Sequence, residues 1–153
     1  MKQGIAAPGK LAIVGWSYGG YAALQSGVLA PDLFKAIIAV APVTDLETLR
    51  SEAFGFASYP QVDRFIGHGA HVKEGSPARN VDRIDVPVLL IHGDKDENVP
   101  VDQTTAMAEA LKAHGKDVET VILPGATHYF SEQEYAAALR KLFDFLRRHL
   151  SRS

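Results

Sequence analysis

The chain has 153 residues, which is enough for one domain of ordinary size and too few for two. Hydrophobic residues make up 46% and charged residues 22%, the proportions of a globular domain, so a disordered or collagen-like chain is excluded. The formal charge is −2 and no basic block is present, which argues against a nucleic-acid partner. The absence of cysteine excludes disulfides, thiol nucleophiles and iron–sulfur clusters.

The sequence shows no segment that predicts membrane insertion or export. The longest apolar runs, residues 36–42 and 86–91, are far shorter than the roughly 20 residues that a membrane-spanning helix needs. Near the start, Gly4, Pro8 and Lys10 interrupt any signal-peptide core. We therefore expect a cytoplasmic protein with no membrane partner.

The first elements of the chain alternate between strand and helix. Residues 11–15 form a short apolar run bounded by glycines, which predicts a buried parallel strand. Residues 18–29 carry apolar side chains at helical spacing, and Pro31 sets the latest point at which this helix can end. Residues 34–40 are a second apolar run and predict the second strand.

The same alternation returns after an irregular stretch. In residues 46–80, glycines and prolines break the periodicity, so we expect short helices and loops there. Residues 86–92 and 120–123 are apolar runs that end at glycine or proline and predict the third and fourth strands. Between them, residues 102–114 predict an amphipathic helix.

A capping box marks the start of the last helix, because Ser131 is followed three residues later by Glu134. We expect one apolar stripe of this helix to cover the sheet. The stripe consists of Tyr135, Leu139, Leu142, Phe143, Leu146 and Leu150.

This order of elements predicts an α/β fold, with a parallel sheet of about four strands joined by right-handed crossovers and flanked by helices. We expect residues 46–80 to lie over the carboxyl ends of the strands, where the sites of α/β proteins form. The whole chain, residues 1–153, is interpreted as a single domain.

A candidate nucleophile lies between the first strand and the first helix. The segment GWSYG at residues 15–19 fits the pattern G-x-S-x-G, and a strand runs into it while a helix runs out of it. Ser17 is therefore the predicted nucleophile, and the amide of Tyr18 is predicted to face the developing oxyanion. The alternative is a glycine-rich turn without chemistry, or a turn that holds a phosphate.

A serine nucleophile needs an imidazole base and a carboxylate that orients it. Asp94, Asp96 and Glu97 follow the third predicted strand, and His128 follows the fourth. The chain order of serine, acid and histidine is that of α/β-hydrolases. Asp45, after the second strand, is the competing acid.

The sequence predicts no metal site and no cofactor. The spacing of Asp94, Asp96 and Asn98 opens like a calcium loop, but the positions for glycine and glutamate hold Val99 and Thr105. His68 and His71 are interpreted as a loop pair, because no third ligand is near them in sequence. His92, His114 and His149 are interpreted as structural or solvent-facing.

Several motifs together resemble one family. They are GWSYGGY at residues 15–21, PVLLIHG at 87–93, G-x-x-D-x-x-V-P at 93–100, and His128 after a glycine-containing turn. The chain resembles the catalytic α/β-hydrolase domain of the prolyl oligopeptidase family of serine hydrolases over almost its whole length. The resemblance selects Asp96 rather than Asp94 as the acid.

The resemblance also implies what is absent. In that family the serine turn follows the fifth strand of an eight-stranded sheet, so we expect this chain to be the C-terminal half of the fold, a truncated domain. The upstream strands and the oxyanion donor that the family supplies from them are then missing. The strand at residues 11–15 would lie at an open sheet edge, which predicts a homo-oligomer formed through it.

The leading functional hypothesis is a serine hydrolase that cleaves carboxylic esters of small acyl groups through an acyl-enzyme on Ser17. The first alternative is an aminoacyl or dipeptidyl peptidase of the same family, so the expected partner is a small ester or a short peptide. The second alternative is a non-catalytic half-domain or oligomerisation module. Six aromatic residues are candidates for an acyl pocket or for ordinary core packing. They are Trp16, Tyr18, Phe54, Phe56, Tyr129 and Phe130.

Overall fold

The computed structural model of the chain describes residue 7 and residues 9–150. Its centre is a four-stranded, fully parallel sheet with the strand order β1-β2-β3-β4. The strands are β1 (Ala12–Trp16), β2 (Ala36–Val40), β3 (Val88–Gly93) and β4 (Val118–Leu123). The α/β fold with a four-stranded parallel sheet is thereby confirmed.

Six α-helices surround the sheet within the described part of the chain. They are α1 (Tyr18–Leu29), α2 (Leu46–Glu52), α3 (Tyr59–Ile66), α4 (Ala70–Glu74), α5 (Asp102–Ala113) and α6 (Glu132–Leu150). Two single 3₁₀ turns, Pro77–Arg79 and Val81–Arg83, lead from α4 toward β3. The interval predicted as irregular therefore contains short helices, as expected.

The strands β2 and β3 are buried on both faces, which explains why their sequences are apolar without alternation. Ile37 and Leu90 face a cluster that includes Leu24 of α1 and Met107 of α5. Ile38 and its neighbours on the opposite face pack against α6. The sheet is thus covered by α1 and α5 on one side and by α6 on the other.

Helix α6 begins as predicted but buries only part of the predicted stripe. Glu134 accepts from the Ser131 amide at 2.7 Å, and Ser131 Oγ lies 3.4 Å from the Glu134 amide, which completes the capping box. Phe145 and Ala138 are the buried residues of this helix, whereas Tyr135, Leu139 and Phe143 are exposed. Leu142 and Leu146 of the predicted stripe do pack against the sheet. The stripe was therefore correct in part: it merged two neighbouring arcs and omitted Phe145.

Short helices between β2 and β3 form a small core of their own. Leu46, Ile66 and Val72 pack together with Val43, which follows β2, and Val99, which follows β3. This cluster therefore lies beyond the carboxyl ends of the two central strands. The interpretation of residues 1–153 as one truncated domain stays a prediction.

None of the helices within residues 9–150 combines the length and the apolar character that crossing a membrane requires. The segment around Gly4 and Pro8, on which the absence of a signal peptide was argued, lies outside the described residues. The cytoplasmic location stays a prediction.

Candidate active site

Ser17 occupies a strained turn between β1 and α1. It is the residue before the first residue of α1, with φ 56° and ψ −122°, and only one other non-glycine residue among those described, Ala41, has a positive φ. A Cβ on Gly15 would lie 1.9 Å from the carbonyl oxygen of Gly19. The turn therefore requires glycine at position 15, which is the first glycine of the G-x-S-x-G motif.

Backbone hydrogen bonds fix this turn to the sheet. The Ser17 N–H donates to Val40 O at 2.8 Å, and the Tyr21 N–H donates to Ser17 O at 3.1 Å. Tyr18 is the first residue of α1, where amide groups have no acceptor within the helix. Its N–H is thus suited to donate a hydrogen bond to a negatively charged oxygen beside Ser17.

Asp96 lies in the loop between β3 and α5, and its side chain is fully buried. Its Oδ1 atom accepts from the Asn98 amide at 2.9 Å and from the Val99 amide at 2.8 Å. This compact turn explains why a short, acidic and otherwise polar segment follows a buried strand. It fixes one carboxylate oxygen and leaves the other free for a side-chain partner.

That partner is His128, whose Nδ1 atom lies 2.7 Å from Asp96 Oδ2. A carboxylate accepts hydrogen bonds, so Nδ1 carries the hydrogen and Nε2 is left to accept a proton. The His128 side chain is only 8% exposed. The acid and the histidine that the sequence proposed are thus brought together in the geometry of an oriented base.

Two contacts hold the histidine loop close to the rest of the site. A Cβ on Gly93 at the end of β3 would lie 2.2 Å from Ala126 O, so only glycine allows the loop to approach. The ring of Trp16 packs on the ring of Phe130 with centroids 4.6 Å apart. The residue before Ser17 and the loop that carries His128 are therefore in direct contact. Among the hydrogen bonds of residues 9–150, none joins the Ser17 hydroxyl to His128.

Two adjoining cavities share Leu49 and Val62 in their walls. One has a volume of about 450 Å³ and includes Tyr18, and the other, of about 420 Å³, includes Asn98. They extend from the residue after Ser17 to the loop that holds Asp96. Glu52 in the second cavity has its pKa raised by burial and by the charges of Asp102 and Asp45, although Gln103 donates to its carboxylate.

The aromatic candidates are distributed over different places. Tyr18 and Phe56 line the two cavities. Trp16 and Phe130 pack against Tyr135 of α6, on the side of the sheet that α6 covers. Tyr129 is 77% exposed beside the His128 ring. The Phe54 ring packs edge-to-face with the Tyr59 ring, and both residues line a separate cavity.

The two other aspartates considered as the acid, Asp45 and Asp94, have other partners. Asp45 accepts from the Thr48 amide at 3.0 Å and pairs with Arg79, and Asp94 Oδ1 accepts from the Gly125 amide at 2.6 Å. No group of three histidine, aspartate or glutamate side chains within the described ranges is arranged to hold a metal ion.

His92 is the residue whose surroundings the sequence did not reveal. It is fully buried, and its Nε2 atom lies 3.2 Å from Asp96 Oδ2. Its only sequence signal is its position at the end of an apolar strand, directly before Gly93 and four residues before Asp96. Such a signal shows that the imidazole is near the loop but not what it contacts.

Comparison with known proteins identifies sequences that this chain resembles. The sequence model of the prolyl oligopeptidase family matches residues 1–153. Dipeptidyl peptidase family member 2 of Caenorhabditis elegans is 31% identical over 134 residues, which are 81% of this chain and 15% of that protein. Dipeptidyl aminopeptidase BIII of Pseudoxanthomonas mexicana is 28% identical over 142 residues, which are 88% of this chain and 21% of that protein.

Solved structures show the same likeness. A puromycin-hydrolyzing peptidase of Mycobacterium tuberculosis has a TM-score of 0.87 and 30% identity, over 97% of this chain and 23% of that one. An acylaminoacyl peptidase of Pyrococcus horikoshii has a TM-score of 0.85 and 26% identity, over 97% of this chain and 25% of that one. The chain thus spans a quarter or less of the length of these relatives.

Proposed function

Because the chain belongs to the prolyl oligopeptidase family, we propose that it carries the catalytic residues of a serine peptidase. Ser17 is the nucleophile, His128 is the general base and Asp96 orients His128. The observation that carries this proposal is the 2.7 Å hydrogen bond between His128 Nδ1 and Asp96 Oδ2. The strained serine turn, tied to the His128 loop through Trp16 and Phe130, supports it.

The relatives favour the peptidase alternative over the esterase that the sequence analysis put first. Those described above are named as dipeptidyl, puromycin-hydrolyzing and acylaminoacyl peptidases. We therefore propose that the substrate is a short peptide or an acylated amino acid, cleaved at an amide bond. An ester of the same acyl group has the better leaving group, so ester hydrolysis is expected to accompany the peptidase activity.

The reaction begins with a tetrahedral intermediate. Ser17 Oγ bonds to the carbonyl carbon of the substrate while its proton passes to His128 Nε2, and the π electrons of the carbonyl bond move to its oxygen, which becomes the oxyanion. The hydrogen bond from His128 Nδ1 to Asp96 stabilises the imidazolium that results. The Tyr18 N–H donates to the oxyanion, and the N-terminal end of the α1 dipole adds to its stabilisation.

Collapse of this intermediate forms the acyl-enzyme, and water then returns the enzyme to its starting state. His128 Nε2–H gives its proton to the leaving amine nitrogen as the carbon–nitrogen bond breaks, and the acyl group stays on Ser17. A water molecule then bonds to the acyl carbon while His128 takes one of its protons. The bond to Ser17 Oγ breaks, the carboxylic acid leaves, and the proton returns to the serine.

The test measures labelling and hydrolysis in matched serine variants. The wild-type chain, Ser17→Ala and the control Ser26→Ala are each treated with a fluorophosphonate probe and assayed on short-chain p-nitrophenyl esters and aminoacyl p-nitroanilides. Ser26 lies in the last turn of α1, at the opposite end of the helix from Ser17. We expect the wild type and Ser26→Ala to be labelled and to hydrolyse substrate, and Ser17→Ala to do neither. Equal background in all three, with no label on Ser17, would contradict the proposal and favour a non-catalytic half-domain.

A further inference from the structure

The Asp96 carboxylate has a second histidine partner besides His128. His92 is in β3, one residue before its end, and its side chain is fully buried. Its Nε2 atom lies 2.9 Å from Val99 O and 3.2 Å from Asp96 Oδ2. Its Nδ1 atom lies 2.7 Å from Thr104 Oγ1. Both ring nitrogens are therefore held by the structure around them.

These partners determine where the hydrogen of the His92 ring lies. A carbonyl oxygen only accepts hydrogen bonds, so Nε2 carries the hydrogen and donates to Val99 O, with Asp96 Oδ2 as a second acceptor. Burial lowers the pKa of His92, although the Val99 carbonyl and the Asp96 charge act in the opposite direction. The ring is thus neutral near pH 7, and Nδ1 accepts from the Thr104 hydroxyl.

Both oxygens of Asp96 then face hydrogen-bond donors. Oδ1 accepts from the amides of Asn98 and Val99, and Oδ2 faces His128 Nδ1 and His92 Nε2. The Asp96 side chain is fully buried, so water does not readily replace a donor that is lost. The position of Oδ2 therefore depends on the two imidazoles that share it.

We propose that His92 is a positioning residue for the catalytic pair, whose Nε2–H holds Asp96 Oδ2 where it accepts the hydrogen bond from His128. This inference rests on the roles proposed above for Asp96 and His128. Without the Nε2–H, the carboxylate turns about its Cβ–Cγ bond and the His128 ring loses its fixed orientation. A side chain that only filled space in β3 would have no such effect.

The proton on His128 Nδ1 reports this geometry directly, whether or not the chain turns over substrate. A short imidazole–carboxylate hydrogen bond moves the proton NMR signal far downfield and slows its exchange with water. His92→Leu removes the donor, and His92→Gln retains an N–H close to the position of Nε2. We expect the signal in the wild type and in His92→Gln, and its loss in His92→Leu with the circular dichroism spectrum unchanged. A persistent signal in His92→Leu would overturn the proposal.

A second variant serves if His92→Leu does not fold. Thr104→Val frees Nδ1 and lets the His92 ring tilt, while the ring itself stays in the core. We expect the His128 proton to exchange with water faster than in the wild type. An unchanged exchange rate would overturn the proposal.

Kinetics separate positioning from simple core packing. For His92→Leu we expect kcat to fall about ten- to a hundredfold, the effect of one hydrogen bond to a charged group, with KM within about twofold. His92→Gln is expected to restore kcat, because it retains an N–H that donates to Asp96 Oδ2. An unchanged kcat in His92→Leu would overturn the role.

The two proposals fail in different ways. If no variant hydrolyses substrate but the NMR signal behaves as expected, the proposed function fails and the positioning role of His92 stands. If hydrolysis depends on Ser17 while the His92 variants retain both the signal and the wild-type kcat, the positioning role alone fails.

Discussion

Arg79 forms an ion pair with Asp45 in which the guanidinium donates to both carboxylate oxygens. Asp45 also accepts from the Thr48 amide and so caps α2. The carboxylate that the sequence left as the competing acid is thus engaged at the start of α2, whereas Asp96 is bonded to His128. Removing the charge of Asp45 is therefore expected to have a different consequence from removing the charge of Asp96.

Asp96→Asn is expected to reduce kcat by about 10⁴, because an amide in this place favours the wrong histidine tautomer. Asp45→Asn is expected to change kcat only a few-fold, since it removes an ion pair that does not involve His128 and leaves an oxygen that still accepts from the Thr48 amide. Both variants are compared by the rate of fluorophosphonate labelling and by ester turnover. Equal losses of kcat in the two variants would assign Asp45 a part in catalysis and contradict the proposal that Asp96 alone is the acid.

The Asp45–Arg79 pair also predicts how stability depends on pH. Burial alone would raise the pKa of Asp45, but the hydrogen bonds and charge of Arg79 and the Thr48 amide outweigh it, so this pKa lies below its usual range. A lowered pKa stabilises the folded state above the unfolded value of about 3.9 and loses that effect as pH falls through the folded value. The contribution of the pair is therefore present at pH 7 and lost in acid.

Thermal unfolding of Arg79→Gln measures this contribution. We expect its Tm to lie below that of the wild type at pH 6 to 7, and the gap to narrow as pH falls below about 4. Arg83→Gln is the control, because Arg83 forms no ion pair within residues 9–150. A gap that stays constant from pH 7 to pH 3 would show that the pair is not the cause.

The close approach of Gly93 to Ala126 predicts a large effect of a single methyl group. In Gly93→Ala the new Cβ would meet the Ala126 carbonyl, so the loop that carries His128 has to shift. We expect a loss of about 1–3 kcal/mol in the free energy of unfolding, measured in urea. In Gly19→Ala the added Cβ meets no atom within 4 Å, and a helical alanine is expected to stabilise by about 0.5 kcal/mol. A neutral Gly93→Ala would contradict this packing.

The sequence predicted the sheet well because β2 and β3 are buried on both faces and read as unbroken apolar runs. It placed the start of β4 two residues late, since Val118 and Glu119 belong to the strand through pairing with β3. Strand pairing of this kind is a contact between distant parts of the chain. Composition within a short window does not contain it.

The candidate site was also predicted only in part, because the sequence contains local motifs but not contacts between distant parts of the chain. Ser17, Asp96 and His128 could be selected as candidates because their motifs are local and follow strands or turns, and the structure brings Asp96 and His128 into contact. His92 was not assigned to the site, because its contact with Asp96 depends on how the loop after β3 folds back on the strand. Phe145 of α6 was likewise missed, since only the position of the sheet decides which arc of the helix is buried.

Within residues 9–150, strand β1 is an open edge of the sheet. The Leu11 carbonyl and the Ser17 amide both bond to residues of the β2 side. Because alternate residues of a strand direct their backbone groups to opposite sides, those of Ala12, Val14 and Trp16 point away from the sheet. The opposite edge, β4, carries an ion pair between its glutamate and an arginine of α6. A strand edge without such protection, like that of β1, tends to pair with another strand.

We propose that a second copy of the chain pairs along β1 about a two-fold axis, which joins two identical edges. Val14 is 50% exposed and lines an apolar groove of about 290 Å³ with Leu139 of α6, so pairing would also cover apolar surface. We expect light scattering at micromolar concentration to give a dimer, and Val14→Lys to give a monomer. Ile122→Lys, a matched change at an exposed apolar residue of β4, is expected to leave the dimer intact. A folded wild-type monomer would contradict the proposal, and equal loss of the dimer in both variants would place the interface elsewhere.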